Sequence, residues 1–324
     1  MKAIAQDRYG SPGVLELREV DTPTVAGREV LVRVRAASVN ARDWHLMRGD
    51  PYLARLALGL RVPRTKIRGT DFAGTVTAVG QDVKRFRPGD EVFGEVDGAF
   101  AEYVCARDDV VEPKPEALSF EQAAALPLAG NTALMGLRDL GQVRPGQQVL
   151  VNGASGGVGT FAVQIVKAFG AEVTGVCSTG NLELVGSLGA DHLVDYTRED
   201  FTRSARRYDV VFDLVGNRSL TELRRTLKPT GRLVLSGGGV FEGGSVFGPM
   251  GLILKGQVMS LFARDRLFVL TATPSKENLA SLRELADSGK LTPVIDRTYP
   301  LSEAPEAIRY LEGEHARAKV VITV

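Results

Sequence analysis

At 324 residues the chain is longer than one hydrophobic core usually organises, so two domains are expected. Its 44% hydrophobic and 24% charged residues are those of an ordinary globular protein, and a net charge of +1 gives no general pull toward nucleic acid or an anionic membrane. Two cysteines, Cys105 and Cys177, exclude a disulfide framework and suit a reducing compartment, so a cytoplasmic protein is expected.

The opening, Met1-Lys2-Ala3-Ile4, reads as strand and not as a secretory leader. Residues 1–115 are rich in short β-type runs, such as 29–36 and 74–80, whose alternating apolar and polar positions mark half-buried strands of a barrel or sandwich. The turn Arg87-Pro88-Gly89-Asp90 feeds another strand at 91–94. At Ser119 the pattern becomes helical, with Ser119 as N-cap and Gln122 at the capping-box spacing. A helix over 132–140 follows and stops at Gly141. Strand–helix pairs then repeat: strand 148–152 and helix 158–169, then strand 172–176 and helix 182–188. After a short strand at 192–194 come strand 208–214, helix 219–227 and strand 231–235. This alternation implies an α/β fold, a parallel sheet covered on both faces.

Residues 237–256 are glycine-rich and predict a loop or flap. The longest apolar run, 250–262, is interrupted by Gly251, Lys255 and Gly256 and falls short of the ~18 residues of a membrane span. A strand at 267–271 and an amphipathic helix at 275–288 follow. The β-branched end, 319–324, must pair with a sheet and is assigned to the first domain. That domain is then discontinuous, 1–121 with 293–324, around a second, α/β domain at 122–292.

The chemistry begins at Gly153-Ala154-Ser155-Gly156-Gly157-Val158-Gly159, at a strand-to-helix junction. Glycine permits the tight turn and removes the Cβ atoms that block a pyrophosphate, while the helix start offers unpaired N–H groups to phosphate. An NAD site usually carries an acid at the end of the second strand, about 20 residues on, for the ribose 2′-hydroxyl. Here that place reads Val176-Cys177-Ser178-Thr179-Gly180-Asn181, without an acid, and Ser178 and Thr179 offer hydroxyls that do not repel a 2′-phosphate. Alternatively, the two hydroxyls simply cap the next helix. Tyr196, after the third strand, is a candidate to close over the adenosine end. NADP(H) is favoured, with NAD(H) left open.

Several motifs carry a resemblance. They are Ala37-Ser38-Val39-Asn40, Asp43-Trp44-His45-Leu46, Gly69-Thr70-Asp71-Phe72-Ala73-Gly74, Leu126-Pro127-Leu128-Ala129-Gly130-Asn131-Thr132-Ala133, the glycine loop, and Asp209-Val210-Val211-Phe212-Asp213-Leu214-Val215-Gly216. With them the chain resembles the medium-chain dehydrogenase/reductase superfamily along its whole length, and within it the zinc-independent quinone oxidoreductases, including reticulon-interacting and chloroplast-envelope relatives. The resemblance implies a Rossmann doubly wound parallel sheet and a β-rich GroES-like barrel. Zinc-dependent relatives have a ligand Cys where this chain has Asn40, and Gly-His-Glu where it has Gly69-Thr70-Asp71. With three His and two Cys, scattered, no zinc is expected, and His45 and His315 read as packing or surface residues.

The resemblance also implies site residues. Asn40 sits near the nicotinamide ribose or the substrate oxygen, or else caps a turn after its strand. Asp43 and Trp44 form active-site floor, with Trp44 equally readable as a core anchor. Thr132, Val215, Gly216, Ser236 and Gly237 border the nicotinamide. Tyr52 is a candidate proton donor, with solvent as the alternative. Many relatives have Arg where this chain has Gly180; Arg317 and Lys319 are candidates to compensate at the cofactor, or are solvated charges. The expected reaction is hydride transfer from NADPH to a small electrophilic acceptor, a quinone or an α,β-unsaturated carbonyl. The alternatives are a zinc-free reductase or dehydrogenase of another carbonyl, and a low-turnover dinucleotide-binding regulatory or interaction protein. Pairing into a homodimer through 267–271 is a further expectation.

Overall fold

The computed structural model describes residues 1–236, 266–313 and 316–324. The expectations placed on Gly237, on the flap to Gly256, on the apolar run at 250–262 and on His315 lie outside them. Two compact units emerge: Met1–Asn131 with Thr273–Val324, and Thr132–Ala272. The divisions thus fall at 131/132 and 272/273, where the sequence suggested 121/122 and 292/293.

The first unit opens with strands β1 (Lys2–Ala5) and β2 (Glu16–Glu19), an antiparallel pair. Strand β3 (Glu29–Val39) runs into helix α1 (Ala41–Arg48), and the short helix α2 (Arg55–Leu58) precedes strand β4 (Asp71–Val79). Strands β5 (Glu91–Glu95), β6 (Tyr103–Arg107) and β7 (Val111–Pro113) follow, then helix α3 (Phe120–Ala124). The predicted capping box is present: Ser119 Oγ accepts from the Gln122 N–H at 3.2 Å, and Gln122 Oε1 from the Ser119 N–H at 3.1 Å. Helix α4 (Pro127–Leu134) begins earlier than the predicted 132, because Pro127 has its φ preset for a first helical turn, and widens over Met135–Leu140.

In the second unit β8 (Gln148–Asn152), α5 (Gly157–Ala168), β9 (Glu172–Cys177), α6 (Leu182–Ser187), β10 (His192–Asp195), β11 (Tyr208–Asp213), α7 (Leu220–Arg225), β12 (Leu227–Leu235) and β13 (Leu267–Val269) alternate. The strands form an all-parallel sheet in the order β10-β9-β8-β11-β12-β13, the α/β architecture expected. Both faces are covered, which is why the middle residues of β8 (Val149-Leu150-Val151) and β11 (Val210-Val211-Phe212) are apolar; Leu150, Val211, Leu223 and Leu233 belong to the core.

The chain returns to the first unit with α8 (Lys276–Asp287), β14 (Ile295–Pro300), α9 (Ala304–Gly313) and β15 (Lys319–Thr323). Strand β15 lies antiparallel to β3, pairing Val320 with Val39, in a sheet ordered β14-β15-β3-β4-β5-β7 with β6 also on β3. Registers Ser38–Asp71 and Asp71–Glu95 bring the ends of β3, β4 and β5 together, with the start of β15 beside them.

Candidate functional site

The glycine loop of the second unit is built for close approach. Gly153 has φ +89°, a left-handed value that a side chain resists. The N–H groups of Gly153 and Ala154 donate to the Val176 carbonyl at 3.1 and 3.0 Å, which ties the loop to β9. A Cβ on Gly159 would lie 2.0 Å from the Gly153 carbonyl oxygen, so the first turn of α5 packs directly on the loop backbone. Gly156 occupies the N-cap of α5, and no side chain caps the helix there. Ser155, Gly156, Gly157 and Val158 are partly exposed around that N-terminus. Its unpaired N–H groups and positive dipole end fit a pyrophosphate.

Asn181 joins the loop to the end of β9, donating to Ser155 Oγ at 3.2 Å and to Ser178 Oγ at 3.1 Å. Thr179 is engaged differently: its hydroxyl donates to Asp195 Oδ2 at 2.5 Å. Asp195 ends β10, in register with Cys177, and also accepts from the Thr197 hydroxyl at 2.7 Å. These hydrogen bonds, the one from Thr179 foremost, hold its carboxyl below the usual carboxylate range. An acid therefore does stand at this rim, delivered by the third strand. Reasoning along the chain looked for it only after the second, and the parallel β9–β10 register was the missing signal. Tyr196 is 47% exposed, and its N–H donates to the Cys177 carbonyl at 3.1 Å.

Asp213, at the end of β11, organises the turn that follows. Its Oδ1 accepts from Asn152 Nδ2 at 2.8 Å and from the N–H groups of Val215 and Gly216 at 3.2 and 3.1 Å. Val215 then lies against the loop, its Cγ2 2.8 Å from where a Gly153 Cβ would be. The Ser236 N–H donates to the Asp213 carbonyl at 2.9 Å, so Val215, Gly216 and Ser236 share one anchor. Thr132 is buried at the start of this unit.

The first unit holds a buried polar cluster. Asn40 is the N-cap of α1; its side-chain amide donates to Asp71 Oδ2 at 2.9 Å and accepts from Lys319 Nζ at 2.5 Å. Ser38 Oγ donates to Asp71 Oδ2 at 3.1 Å, and Lys319 Nζ lies 3.8 Å from the same oxygen. Asp43 accepts from the Asn40 N–H at 2.8 Å and from the Thr70 hydroxyl at 3.0 Å. Arg42 reaches Glu95 at 3.3 Å and Asp97 at 3.1 Å. Burial dominates the electrostatics. It pushes the Asp43 carboxyl up to about 6, raises Asp71 and draws the Lys319 ammonium down. Glu95 is pushed up to about 8 by burial and by neighbouring Asp71, which the half-exposed Arg42 only partly offsets.

Several expectations change here. Lys319 is 2% exposed and bonded to Asn40, so it is neither a solvated charge nor a clamp for a 2′-phosphate. Arg317 is exposed, and its N–H donates to Asp296. Asp43 is 1% exposed with both oxygens engaged, which makes it a group that positions Asn40 and Thr70 instead of active-site floor. Trp44 packs partly buried against the apolar core, with the Arg48 guanidinium 5.6 Å over its ring. Tyr52 is 46% exposed under Arg55 and shares no hydrogen bond with the cluster. Among the described residues no group of three or more His, Cys, Asp or Glu is placed to hold a metal ion, and no helix is long and apolar enough to cross a membrane.

A parallel sheet with a close-packed glycine loop, in a chain whose other unit is discontinuous and β-rich, defines a nicotinamide-dependent oxidoreductase. Residues 26–116 match the alcohol dehydrogenase GroES-like domain, and residues 188–322 the family described as zinc-binding dehydrogenase. The chain is 35% identical to a mitochondrial NAD(P)H oxidoreductase of Mus musculus, covering 100% of this chain and 89% of the relative. It is 37% identical to a 2-methylene-furan-3-one reductase of Solanum lycopersicum, over 99% and 79%. Among solved structures, the quinone oxidoreductase from Coxiella burnetii superposes with a TM-score of 0.86 at 35% identity, covering 100% and 99% of the two chains. The chain belongs to the medium-chain dehydrogenase/reductase superfamily, in its quinone oxidoreductase branch.

Proposed function

We propose that the protein is an NADPH-dependent reductase that passes hydride to a quinone or an α,β-unsaturated carbonyl without a metal ion. The observation that carries the metal-free reading is the Lys319–Asn40–Asp71 network. At the position where zinc-dependent relatives have a thiolate ligand, Asn40 is an amide whose oxygen already faces an ammonium at 2.5 Å, and that charge repels a cation. The similar proteins named above act, by their names, on quinones and on a conjugated furanone, acceptors whose conjugation spreads the developing charge and reduces the need for a Lewis acid.

Bound nicotinamide supplies the hydride. The chain's own part is positional. The loop Gly153, Ala154, Ser155, Gly156, Gly157, Val158 and Gly159 holds the pyrophosphate; Thr132, Val215, Gly216 and Ser236 border the nicotinamide. Ser178, Thr179 and Tyr196 border the adenosine ribose. Asn40, fixed by Asp43, Asp71 and Lys319, is assigned by its family position to the nicotinamide ribose or the acceptor oxygen. Trp44 is assigned to the acceptor by its family position, and solvent returns the proton, since Tyr52 stands at the surface. Ser178 and the absence of an acid at the end of β9 favour NADPH, while Asp195 and Gly180 keep NADH in use as a weaker partner. The two cysteines are unpaired, as in a reducing cytoplasm, and β13, an edge strand among the described residues, is the proposed pairing edge of a homodimer.

The test is an assay of NADPH and NADH oxidation against a panel of quinones, enones and simple aldehydes. Rapid NADPH oxidation with the conjugated acceptors is expected. Turnover of a simple alcohol with NAD, stoichiometric zinc by atomic absorption, or tight cofactor binding with no acceptor reduced would each overturn the proposal.

A further inference from the structure

A second concave site lies wholly within the first unit. It is a cleft of about 210 Å³ whose apolar wall is Leu46, Leu58 and Ile67 and whose polar wall includes Arg64, Arg68 and Asp97. For scale, a cavity of ~150 Å³ accepts a benzene ring. Arg68 is the unusual member. Its side chain is 3% exposed, yet its Nε and Nη2 have no hydrogen-bond partner, while its neighbour Arg42 is taken up by Glu95 and Asp97. A buried guanidinium with idle N–H groups is costly unless something meets it. Nε and Nη2 form one edge of the guanidinium fork, and the group whose two acceptor atoms match that edge is a carboxylate. A neutral carbonyl satisfies one of the two N–H groups and leaves the other. A dianion is disfavoured by Asp97 on the same wall.

We propose that this cleft binds a small apolar carboxylate, with the acid on Arg68 and the hydrocarbon on Leu46, Leu58 and Ile67, and that the acceptor is an enone or quinone bearing such an acid group. The second half rests on the reductase reading above. It gains support from chain position: Arg68 is followed by Gly69 and Thr70, and Arg42 lies between Asn40 and Asp43, so the cleft adjoins the buried cluster. Arg64, exposed at the rim, adds long-range attraction for an anion.

Calorimetric titration of the full chain with benzoate and with benzamide tests the site without any turnover. Benzoate is expected to bind at least tenfold tighter than benzamide; Arg68→Lys, which keeps the charge but loses the fork, is expected to reduce that preference severalfold, and loss of the charge in Arg68→Met to abolish it. Arg68→Met serves as a second variant, with the melting temperature of each variant recorded. Equal affinity for the two probes, or a preference untouched in Arg68→Lys, overturns the proposal. The second measurement compares kcat/KM for benzylideneacetone carrying a para-carboxylate with that for the para-carboxamide. A preference for the acid, expressed in KM, reduced in Arg68→Lys and collapsing toward unity in Arg68→Met, supports the acceptor assignment; a ratio near unity in the parent protein refutes it. If neither enone nor any quinone is reduced while benzoate binds through Arg68, the anion site stands and the reductase reading falls. If quinones are reduced and benzoate does not bind, the reverse holds.

Discussion

Replacing Gly159 by alanine isolates what the glycine loop does. Inside a helix, Gly→Ala ordinarily stabilises by about 1 kcal/mol, through restored propensity. At Gly159 the added Cβ would lie 2.0 Å from the Gly153 carbonyl oxygen and 2.7 Å from the Ala154 carbonyl carbon. Both neighbours are backbone, so the helix must move away by about 1 Å, and overpacking of that kind costs about 1–3 kcal/mol or more. The steric cost exceeds the propensity gain, and a net loss of about 2 kcal/mol lowers the melting temperature by roughly 4–8 °C for a unit of this size. Gly156→Ala is the contrast. Its Cβ would be 3.5 Å from the Gly153 carbonyl oxygen, and its φ of −79° and ψ of 177° suit alanine. Its melting temperature should stay within about 1–2 °C of the parent, since a substitution that creates no clash is usually near neutral. NADPH should nevertheless weaken about tenfold, because the methyl group stands where the pyrophosphate approaches the helix N-terminus. Thermal melts and fluorescence titration with NADPH read both effects. A Gly159→Ala variant that melts at or above the parent, or a Gly156→Ala variant that binds NADPH unchanged, refutes the reasoning.

Three further outcomes follow from the geometry. An added Cβ at Gly180 meets nothing within 4 Å, so Gly180→Arg enters freely and should tighten NADPH by about fivefold with NADH unchanged, through a charge-assisted contact to the 2′-phosphate; equal effects on both cofactors in a titration would count against it. Glu95 has a folded pKa of about 8 against an ordinary 4.5, so the folded chain holds its proton over that window. The stability this contributes is complete below pH 4.5 and is lost as pH rises through 8. The parent should therefore lose more melting temperature between pH 6 and 9 than Glu95→Gln, and parallel curves would show that Glu95 is ionised throughout. Lys319→Met leaves buried Asp71 without its cation and should cost about 3 kcal/mol by denaturant unfolding. Adding Asp71→Asn should recover part of that loss, and a strictly additive double variant would sever the pair.

What was legible in the sequence is what depends on near neighbours in the chain. The strand Gln148–Asn152, apolar at its centre, running into glycines and then an apolar helix has one stable solution, a buried parallel strand with a tight glycine turn into the helix. Ser119 and Gln122 announced a helix start because both partners of the capping box lie within three residues. Asp195 was out of reach for the opposite reason. Its bond to Thr179 spans 16 residues and exists only because β10 lies beside β9 in parallel register, so a rule that inspects the end of β9 alone finds no acid there.

Lys319 makes the same point over 279 residues and carries it into the chemistry. Read along the chain, a lysine opening a β-branched tail is a surface charge, and the family position drew it toward the cofactor. Pairing β15 against β3 instead places it beside Asn40, at the end of a sheet where Ser38, Asp71 and Glu95 already meet. Two buried carboxyl groups, those of Asp43 and Asp71, need positive charge, and Arg42, paired with Glu95 and Asp97 on the half-exposed side, makes no ion pair with either. The lysine supplies that charge to Asp71 and at the same time fixes the orientation of the Asn40 amide, since its oxygen must face the ammonium and its nitrogen the carboxylate. One cation, carried by β15, thus offsets Asp71 and orients the amide where relatives with a metal have a thiolate. A chain truncated before β15 should lose the fixed Asn40 amide along with the strand.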